Sequence, residues 1–218
     1  AHFGFHKVFP KNANEKGADI VIHSVHKTLP AMTQTALLHL NGDIVNRESV
    51  RNYLHILQSS SPSYILMASI DYCMEMLENH GDILFDEYVE RLLSLRRELE
   101  SLKHLRVIRT KHFDISKLII SVKDTNMTSG ELSKILLEKY HLQMEMTAGT
   151  YVLAMTTVGD TEEGFLRLKK ALFEIDRELK IQRTEGKELE LPRLPLVYKS
   201  AKVIKEAQRD GLSYVKWE

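Results

Sequence analysis

The order of hydrophobic patterns between Leu105 and Leu179 constrains the fold of this chain most strongly. Two strand-like runs, LRVIRT and ISKLIISV, come before the helix-like TSGELSKILLEKY. Two more, HLQMEM and TYVLAMTTV, come before an amphipathic helix at 160–179. Acidic residues in the first turn of that last helix agree with the helix dipole. This order is typical of a compact α+β unit, so we predict a small α+β domain at residues 104–181.

A long helical pattern lies before this domain. Residues 64–103 keep an amphipathic period almost throughout, and their leucine stripe predicts core packing rather than a function. Gly81 followed by Asp82 predicts a kink or a restart, so we expect connecting helices here. Pro62, in the polar break SSSPS, is expected in the first turn of the next helix.

The start of the chain predicts an α/β arrangement. The apolar run ADIVI at 18–22 is rich in isoleucine and valine and too short for a helix. It predicts a strand buried on both faces, the type found in parallel sheets. A second strand is expected at 35–43, and Asn46 is expected to cap the helix behind it.

Composition limits the classes of function. The 218 residues include 30 Lys or Arg and 30 Asp or Glu, and this balance predicts no nucleic-acid partner and no anionic membrane partner. No apolar run approaches the length of a membrane span. The single cysteine, Cys73, lies in a helical pattern and is interpreted as a buried thiol. Such low cysteine use agrees with a reducing cytoplasm.

A group of polar residues comes directly after the first strand. In HSVHKTLP, the residues Ser24, His26, Lys27 and Thr28 lie close together in sequence. A lysine near the carboxyl end of a strand lies where ligands bind in open α/β sheets. An amine with such neighbours suits a phosphate-bearing aldehyde cofactor, such as pyridoxal phosphate, held as a Schiff base. The residue types alone also fit a solvated turn, and this alternative stays open.

The segment GADIVIHSVHKTLPAMTQTALLHL resembles the lysine-bearing segment of the Orn/Lys/Arg decarboxylases, pyridoxal-phosphate enzymes of the aspartate-aminotransferase fold (fold type I). In that family a strand leads into Ser-x-His-Lys-x-Leu, which here is Ser24 to Leu29, with Gln34 and small residues after it. SSSPSYILMASID resembles the family's serine–proline segment, and AHFGFH resembles the residues after its Asp-Glu-Ala-His-Gly motif. YVLAMTTVGDTEEG is similar to the family's last helix and the strand before it.

The resemblance implies roles for individual residues. Lys27 would be the Schiff-base lysine and would later transfer a proton, while Ser24 and His26 would hold the cofactor phosphate. Ser59 and Ser60 would reach the phosphate site of a partner subunit, because the family's active sites form between two chains. A plain helix-capping loop is the alternative interpretation of these two serines.

The resemblance also implies an α/β fold class: the C-terminal part of a fold-type-I large domain, then the small α+β domain. Residues 1–63 would end the large domain, 64–103 would connect the two, and 182–218 would form a C-terminal connection and start a further segment. The family's aspartate that pairs with the pyridine nitrogen would lie before Ala1. We therefore expect an internal piece of a longer parent protein that is not competent for catalysis alone.

For the parent protein, the resemblance implies pyridoxal-phosphate-dependent decarboxylation of ornithine, lysine or arginine to a diamine or agmatine, by a homodimer. His2 would lie near the cofactor, with a frayed terminus as the alternative. Two other functions stay open. One is a different fold-type-I reaction, such as transamination, aldol cleavage or desulfuration, and the other is a non-catalytic homologue.

Overall fold

The chain folds first into an antiparallel pair of strands, β1 (Ile20–Ser24) and β2 (Ala36–Leu40), in the computed structural model, which describes residues 1–111 and 113–182. The prediction of a strand buried on both faces is wrong for β1 in this chain. Val21 is buried, but Ile22 on the opposite face is 70% exposed. The physical reason is that successive side chains of a strand point to opposite faces, and among the described residues only the Val21 face of β1 is covered, while Ile20 and Ile22 stay exposed.

Two helices of different lengths come next. The shorter, α2 (Arg47–Leu57), begins at the predicted cap, where the Asn46 side chain accepts a hydrogen bond from the Ser49 N–H at 2.8 Å. The longer, α3 (Tyr64–Glu98), begins after Ser63, whose hydroxyl accepts from the Leu66 N–H. Pro62 therefore lies before the helix, whereas the sequence predicted it in the first turn.

Of the predicted kink or restart at Gly81, the restart is wrong, because α3 continues through this residue. A mid-helix glycine costs about 1 kcal/mol relative to alanine. Leu77 and Phe85, one turn away on either side, are both buried and offset that cost by packing into the core. A short 3₁₀ turn, Leu99–Ser101, then ends the helical segment.

The second sheet has four antiparallel strands in the order β3 (Arg106–Ile108), β4 (Lys117–Ser121), β6 (Tyr151–Met155) and β5 (Met146–Ala148). Its buried face is built from cross-strand pairs. Leu118 lies opposite Ala154 and Ile120 opposite Val152, and all four side chains are buried in one core cluster. This alternation confirms the strand predictions for β4 and β6.

The helices of this part pack into the same core. Thr128 and Glu131 form a capping box at the start of α4 (Ser129–Tyr140), and Thr161 caps α5 (Glu162–Glu178). The strand predicted for HLQMEM is mostly wrong, since β5 starts only at Met146. The preceding residues end α4 instead: His141 has a left-handed backbone, and the Leu142 N–H donates to the Leu136 carbonyl at 2.9 Å.

Two buried polar side chains fasten the helices to the second sheet. The Tyr88 hydroxyl on α3 donates to the Thr156 carbonyl after β6 at 2.9 Å. The Asp176 carboxylate on α5 accepts three backbone N–H groups at 2.7–2.8 Å, from residues 103, 104 and 105. Each polar group is satisfied internally, so both contacts fix the helices without leaving an unpaired buried atom.

None of the helices described in residues 1–111 and 113–182 is long and apolar enough to cross a membrane. The described residues lie within one compact unit, and the predicted division at 1–63, 64–103 and 104–181 stays a prediction. Apart from Gln182, the predicted C-terminal connection at 182–218 lies outside the described residues.

Candidate active site

Lys27 lies in α1 (Val25–Thr28), a single helical turn directly after β1. Val25 anchors this turn: its side chain is fully buried and its N–H donates to the Thr35 carbonyl at 3.0 Å. The Leu29 N–H closes the turn on the Val25 carbonyl at 3.0 Å. Because Val25 points into the core, Lys27, two residues later, is left exposed at the surface of the turn.

The Lys27 amine meets a carboxylate from a distant part of the chain. Its Nζ donates to Oε1 of Glu145 at 2.8 Å, and the two side chains are 48% and 37% exposed. Glu145 directly precedes β5 and is held by its own N–H, which donates to the Leu153 carbonyl at 2.9 Å. The second sheet therefore sets the position of the only acidic partner of Lys27 among the described ion pairs.

Ser24 and His26, which precede the lysine, are constrained to different degrees. The His26 Nδ1 lies 2.9 Å from the Thr35 carbonyl oxygen, which can only accept, so Nδ1 donates and Nε2 is left for another partner. Ser24 occupies the N-cap position of α1, but its hydroxyl makes no capping hydrogen bond. Both residues can thus offer a polar atom to a ligand beside Lys27.

A second charged group lies against the same turn. The His2 Nε2 lies 3.2 Å from Oδ2 of Asp114, and the Lys117 amine lies 3.6 Å from the same atom. The backbone N–H of His2 donates to the Thr28 hydroxyl at 3.3 Å, which ties this group to α1. His2 is buried between the rings of Phe3 and Phe9, so it is not part of a frayed terminus.

The electrostatics of this group favour charge on the carboxylate. Burial alone would raise the pKa of Asp114, but the hydrogen bond and charge of His2, together with hydrogen bonds from Ser116, outweigh burial and hold the pKa well below its usual range. Burial lowers the pKa of Lys117, while Asp114 and Glu145 oppose this shift and Lys27 adds to it. Lys27 and Lys117 are thus close enough for their charges to interact.

Ser59 and Ser60 lie in an exposed turn before α3. The Ser59 hydroxyl accepts from the Ser61 N–H at 3.2 Å, within its own turn. The capping role belongs to Ser63 and not to either of these serines. Their predicted contact with the phosphate of a partner subunit is not tested by a single chain and stays a prediction.

Sequence reasoning missed Glu145, Asp114 and Lys117. Glu145 lies in the segment predicted as a strand, and the other two lie in or beside β4. Their roles depend on contacts between residues far apart in the chain, which no local pattern reports. The only sequence signal was a lysine with no acidic neighbour nearby in the sequence.

A comparison with known proteins identifies the family of this chain. Residues 1–161 match the family described as "Orn/Lys/Arg decarboxylase, major domain". The chain belongs to this family. The matched residues contain the whole Lys27 turn and also Glu145 and Asp114, so the candidate site lies inside the family region.

Several curated relatives resemble the chain over most of its length. An arginine decarboxylase of Bacillus cereus is 29% identical over 90% of this chain, and one of Bacillus subtilis is 30% identical over the same share. The chain spans 45% and 42% of those two proteins, which is less than half of their length. The constitutive lysine decarboxylase of Escherichia coli is 29% identical over 45% of the chain.

Solved structures place the chain in the same group of folds. The Escherichia coli constitutive lysine decarboxylase matches with a TM-score of 0.62 at 22% identity, covering 72% of this chain and 28% of that one. An alanine–glyoxylate aminotransferase from Nostoc sp. matches with a TM-score of 0.59 at 13% identity, covering 77% and 50%. At these identities the likeness concerns the fold alone, and it confirms the predicted α/β fold class with neighbours among decarboxylases and aminotransferases.

Proposed function

We propose that the longer protein containing this chain is a pyridoxal-phosphate-dependent decarboxylase of a basic amino acid, in which Lys27 carries the cofactor. The observation that carries this proposal is the α1 turn. It presents a half-exposed amine directly after a serine and a histidine in the sequence, inside the region that matches the decarboxylase family.

The residues of this turn fit pyridoxal phosphate. Lys27 offers a primary amine for the aldehyde, while Ser24 and His26 offer a hydroxyl and an imidazole to the phosphate. When bound, this cofactor supplies an aldehyde carbon that amines attack and a ring that accepts the electron pair left by departing carbon dioxide.

The bond from His26 to Thr35 restricts how the imidazole can bind a phosphate. Because Nδ1 donates to the Thr35 carbonyl, a neutral ring has only a lone pair at Nε2. Nε2 can donate to a phosphate oxygen only when the ring carries both protons. His26 would therefore contribute one positive charge as well as a hydrogen bond, and the Ser24 hydroxyl would donate beside it.

The ion pair between Lys27 and Glu145 must open before the lysine reacts. An amine held by a carboxylate as ammonium has no free electron pair for attack. Once Lys27 leaves, the Glu145 carboxylate is free to pair with a different cation. The cationic end of a lysine, ornithine or arginine substrate suits that vacated position, which supports a basic amino acid as substrate.

The names of the relatives indicate which substrate to test first. The curated relatives matched over 90% of this chain carry the name arginine decarboxylase, so arginine is the first substrate to try. Lysine and ornithine come next. The product would be agmatine or the corresponding diamine.

We further propose a homodimer with shared active sites, in which Ser59 and Ser60 reach the cofactor phosphate of the partner subunit. Exposed apolar side chains on either side of these serines support this, namely Ile56, Leu57, Tyr64 and Ile65. Large apolar side chains grouped at a surface favour contact with another protein surface.

The free, buried Cys73 agrees with a location in the reducing cytoplasm, which we include in the proposal.

The test uses the full-length protein with pyridoxal phosphate and each of arginine, lysine and ornithine. We expect carbon dioxide and an amine as products, and a visible cofactor absorbance that Lys27→Ala removes. Borohydride reduction and then peptide mapping should find the cofactor on Lys27. An adduct on another lysine, with activity retained in Lys27→Ala, would refute the assignment.

An aminotransferase is the second candidate, and the structural neighbours give it specific support. The alanine–glyoxylate aminotransferase from Nostoc sp. shares the fold, and the fold does not fix the reaction. In the same assay, formation of a keto acid without carbon dioxide would favour transamination. Absence of both the absorbance and the adduct would favour a non-catalytic homologue.

A further inference from the structure

Arg96 is a buried arginine on α3 that lies outside the Lys27 turn. Only 3% of the residue is exposed. Its Nε donates to the Ile115 carbonyl at 2.7 Å, and its Nη2 donates to the Lys117 carbonyl at 2.7 Å. One edge of the guanidinium therefore holds the backbone that leads into β4, which gives the residue a structural role.

The other end of the Arg96 guanidinium, the Nη1 amino group, makes no hydrogen bond with the described residues. The Nη1 atom is buried and has no hydrogen-bond partner among residues 1–111 and 113–182. Nε and Nη2 form the side edge of the planar group, so Nη1 and the second proton of Nη2 form an end edge. Such an edge matches the two oxygens of a carboxylate. A buried donor left without an acceptor costs free energy that a bound acceptor would recover.

A surface cavity of about 380 Å³ lies against this arginine. Phe113 forms part of its wall, with the ring 5.1 Å from the Arg96 Cζ and 38% exposed. Leu93 and Ile115 add apolar surface. The Nη1 atom is itself buried, so a ligand in the cavity would reach the end edge only if neighbouring side chains, such as the partly exposed Phe113 ring, moved aside.

The charges around the cavity suit a single negative charge. Arg96, Arg97 and Arg109 contribute three positive charges, and Glu90 and Glu100 contribute two negative ones. Glu100 is already paired with Arg109. Burial and then the positive charge of Arg109 lower the pKa of Arg96, while Asp114 and Tyr88 oppose this shift only in part, so a further anion beside the guanidinium would favour its charged form.

We propose that this cavity binds an organic monocarboxylate, with the carboxylate clasped by the end edge of Arg96 and the apolar part against Leu93 and Phe113. The cavity shares no lining residue with the pair Lys27 and Glu145, although Arg96 also holds the Lys117 carbonyl of the neighbouring charged group. It does not depend on the proposed decarboxylase function. Its occupant is an effector or a second ligand, bound beside α3.

The experiment is calorimetric titration of the full-length protein with hexanoate, with hexanol as the neutral probe and inorganic phosphate as the anion without an apolar body. We expect saturable binding of hexanoate and at least tenfold weaker binding of the other two. Equal binding of hexanoate and hexanol, binding of phosphate alone, or no binding of any probe would overturn the proposal.

Two variants test the assignment to Arg96. Arg96→Lys keeps the charge but loses the planar end edge, and we expect at least a tenfold loss of hexanoate affinity. If this variant fails to fold, Leu93→Glu takes its place in the test. Leu93 is partly exposed, and a glutamate there would pair with the arginines of the cavity and abolish hexanoate binding. The matched control is Leu137→Glu on α4, similarly exposed but outside the cavity. Unchanged affinity in folded Leu93→Glu, or equal loss in the control, would contradict the proposal.

Discussion

The segment that carries Lys27 and the four-stranded part of the chain bury their apolar residues to very different extents. In the four-stranded part, Leu118, Ile120 and Val152 are fully buried in a core closed by α3, α4 and α5. In the Lys27 segment, Ile22 is 70% exposed and α2 contains no buried residue. Lys27, the proposed reactive residue, thus lies in the part of the chain that has fewer buried apolar side chains.

The difference shows how the site depends on the better-packed part. Val25 anchors the Lys27 turn locally, but Glu145, which pairs with Lys27, and Asp114, which pairs with His2 beside the turn, come from the four-stranded part. The well-packed sheet positions charges, while the exposed strands present the amine. Four predictions test this division of roles, starting with the largest expected effect.

Replacing the amine itself should have the largest effect. Lys27→Ala in the full-length protein removes the proposed nucleophile, and we expect the proposed decarboxylation to fall by roughly 10³-fold or more. The measurements are release of carbon dioxide and the cofactor absorbance. Lys123→Ala, which removes an exposed lysine of the four-stranded part, is the control and should leave both unchanged.

Substitutions of apolar side chains should reduce stability by different amounts in the two parts. Ile120→Ala removes a fully buried side chain, and we expect the free energy of unfolding to fall by about 2–5 kcal/mol in urea titration. Ile22→Ala should change it by less than about 0.5 kcal/mol in this 218-residue chain, because its side chain is exposed. An equal loss of unfolding free energy in Ile120→Ala and Ile22→Ala of this chain would contradict the difference in burial between the two parts. A larger Ile22→Ala cost in the longer protein would indicate that other residues cover β1 there.

Glu145→Gln should change substrate binding more than stability. The pair with Lys27 is half exposed, so its loss should cost less than about 1 kcal/mol of folding free energy. If the carboxylate receives the substrate's cation, KM for arginine or lysine should rise about 10–100-fold, with a smaller change in kcat. Glu178→Gln, an exposed glutamate on α5, is the control. An unchanged KM would remove Glu145 from the proposed substrate site.

The buried pair of His2 and Asp114 should make stability depend on pH. The pKa of Asp114 is depressed in the folded state, so its contribution is present above the unfolded value of about 3.9 and is lost as pH falls towards the lower folded value. Asp114→Asn should therefore cost about 1–3 kcal/mol at neutral pH, with the difference from the unsubstituted protein narrowing below about pH 4. Asp43→Asn, at an exposed site, should show neither effect in thermal unfolding scans. A cost for Asp114→Asn that is the same at all pH values would contradict the depressed pKa.

Much of the fold was predictable because it rests on local patterns. The alternation in β4 and β6, the Asn46 cap and the period of α5 depend on residues that are close together in the sequence. The errors arose where tertiary contacts override local preference. Burial of Leu77 and Phe85 keeps α3 continuous through Gly81, and the end of α4 occupies part of the predicted strand HLQMEM.

The candidate site was predictable only in part, for a related reason. Ser24, His26 and Lys27 are close in sequence, so a resemblance in one segment identifies all three. Glu145 and Asp114 join them only after the chain has folded, and their identity depends on which side chains the second sheet brings to the turn. The family match at residues 1–161 contains these residues but does not itself state their roles.

The separation in sequence between the site's charged partners also determines how long after one partner the other is synthesised. Lys27 and Glu145 are 118 residues apart, and His2 and Asp114 are 112 residues apart. At about 5–20 residues per second, a ribosome would release Lys27 roughly 6 to 24 seconds before Glu145. During that interval the Glu145 carboxylate that pairs with the lysine in the folded chain is not yet present. The site is therefore assembled late in synthesis, after the strands that position Glu145 have emerged and paired.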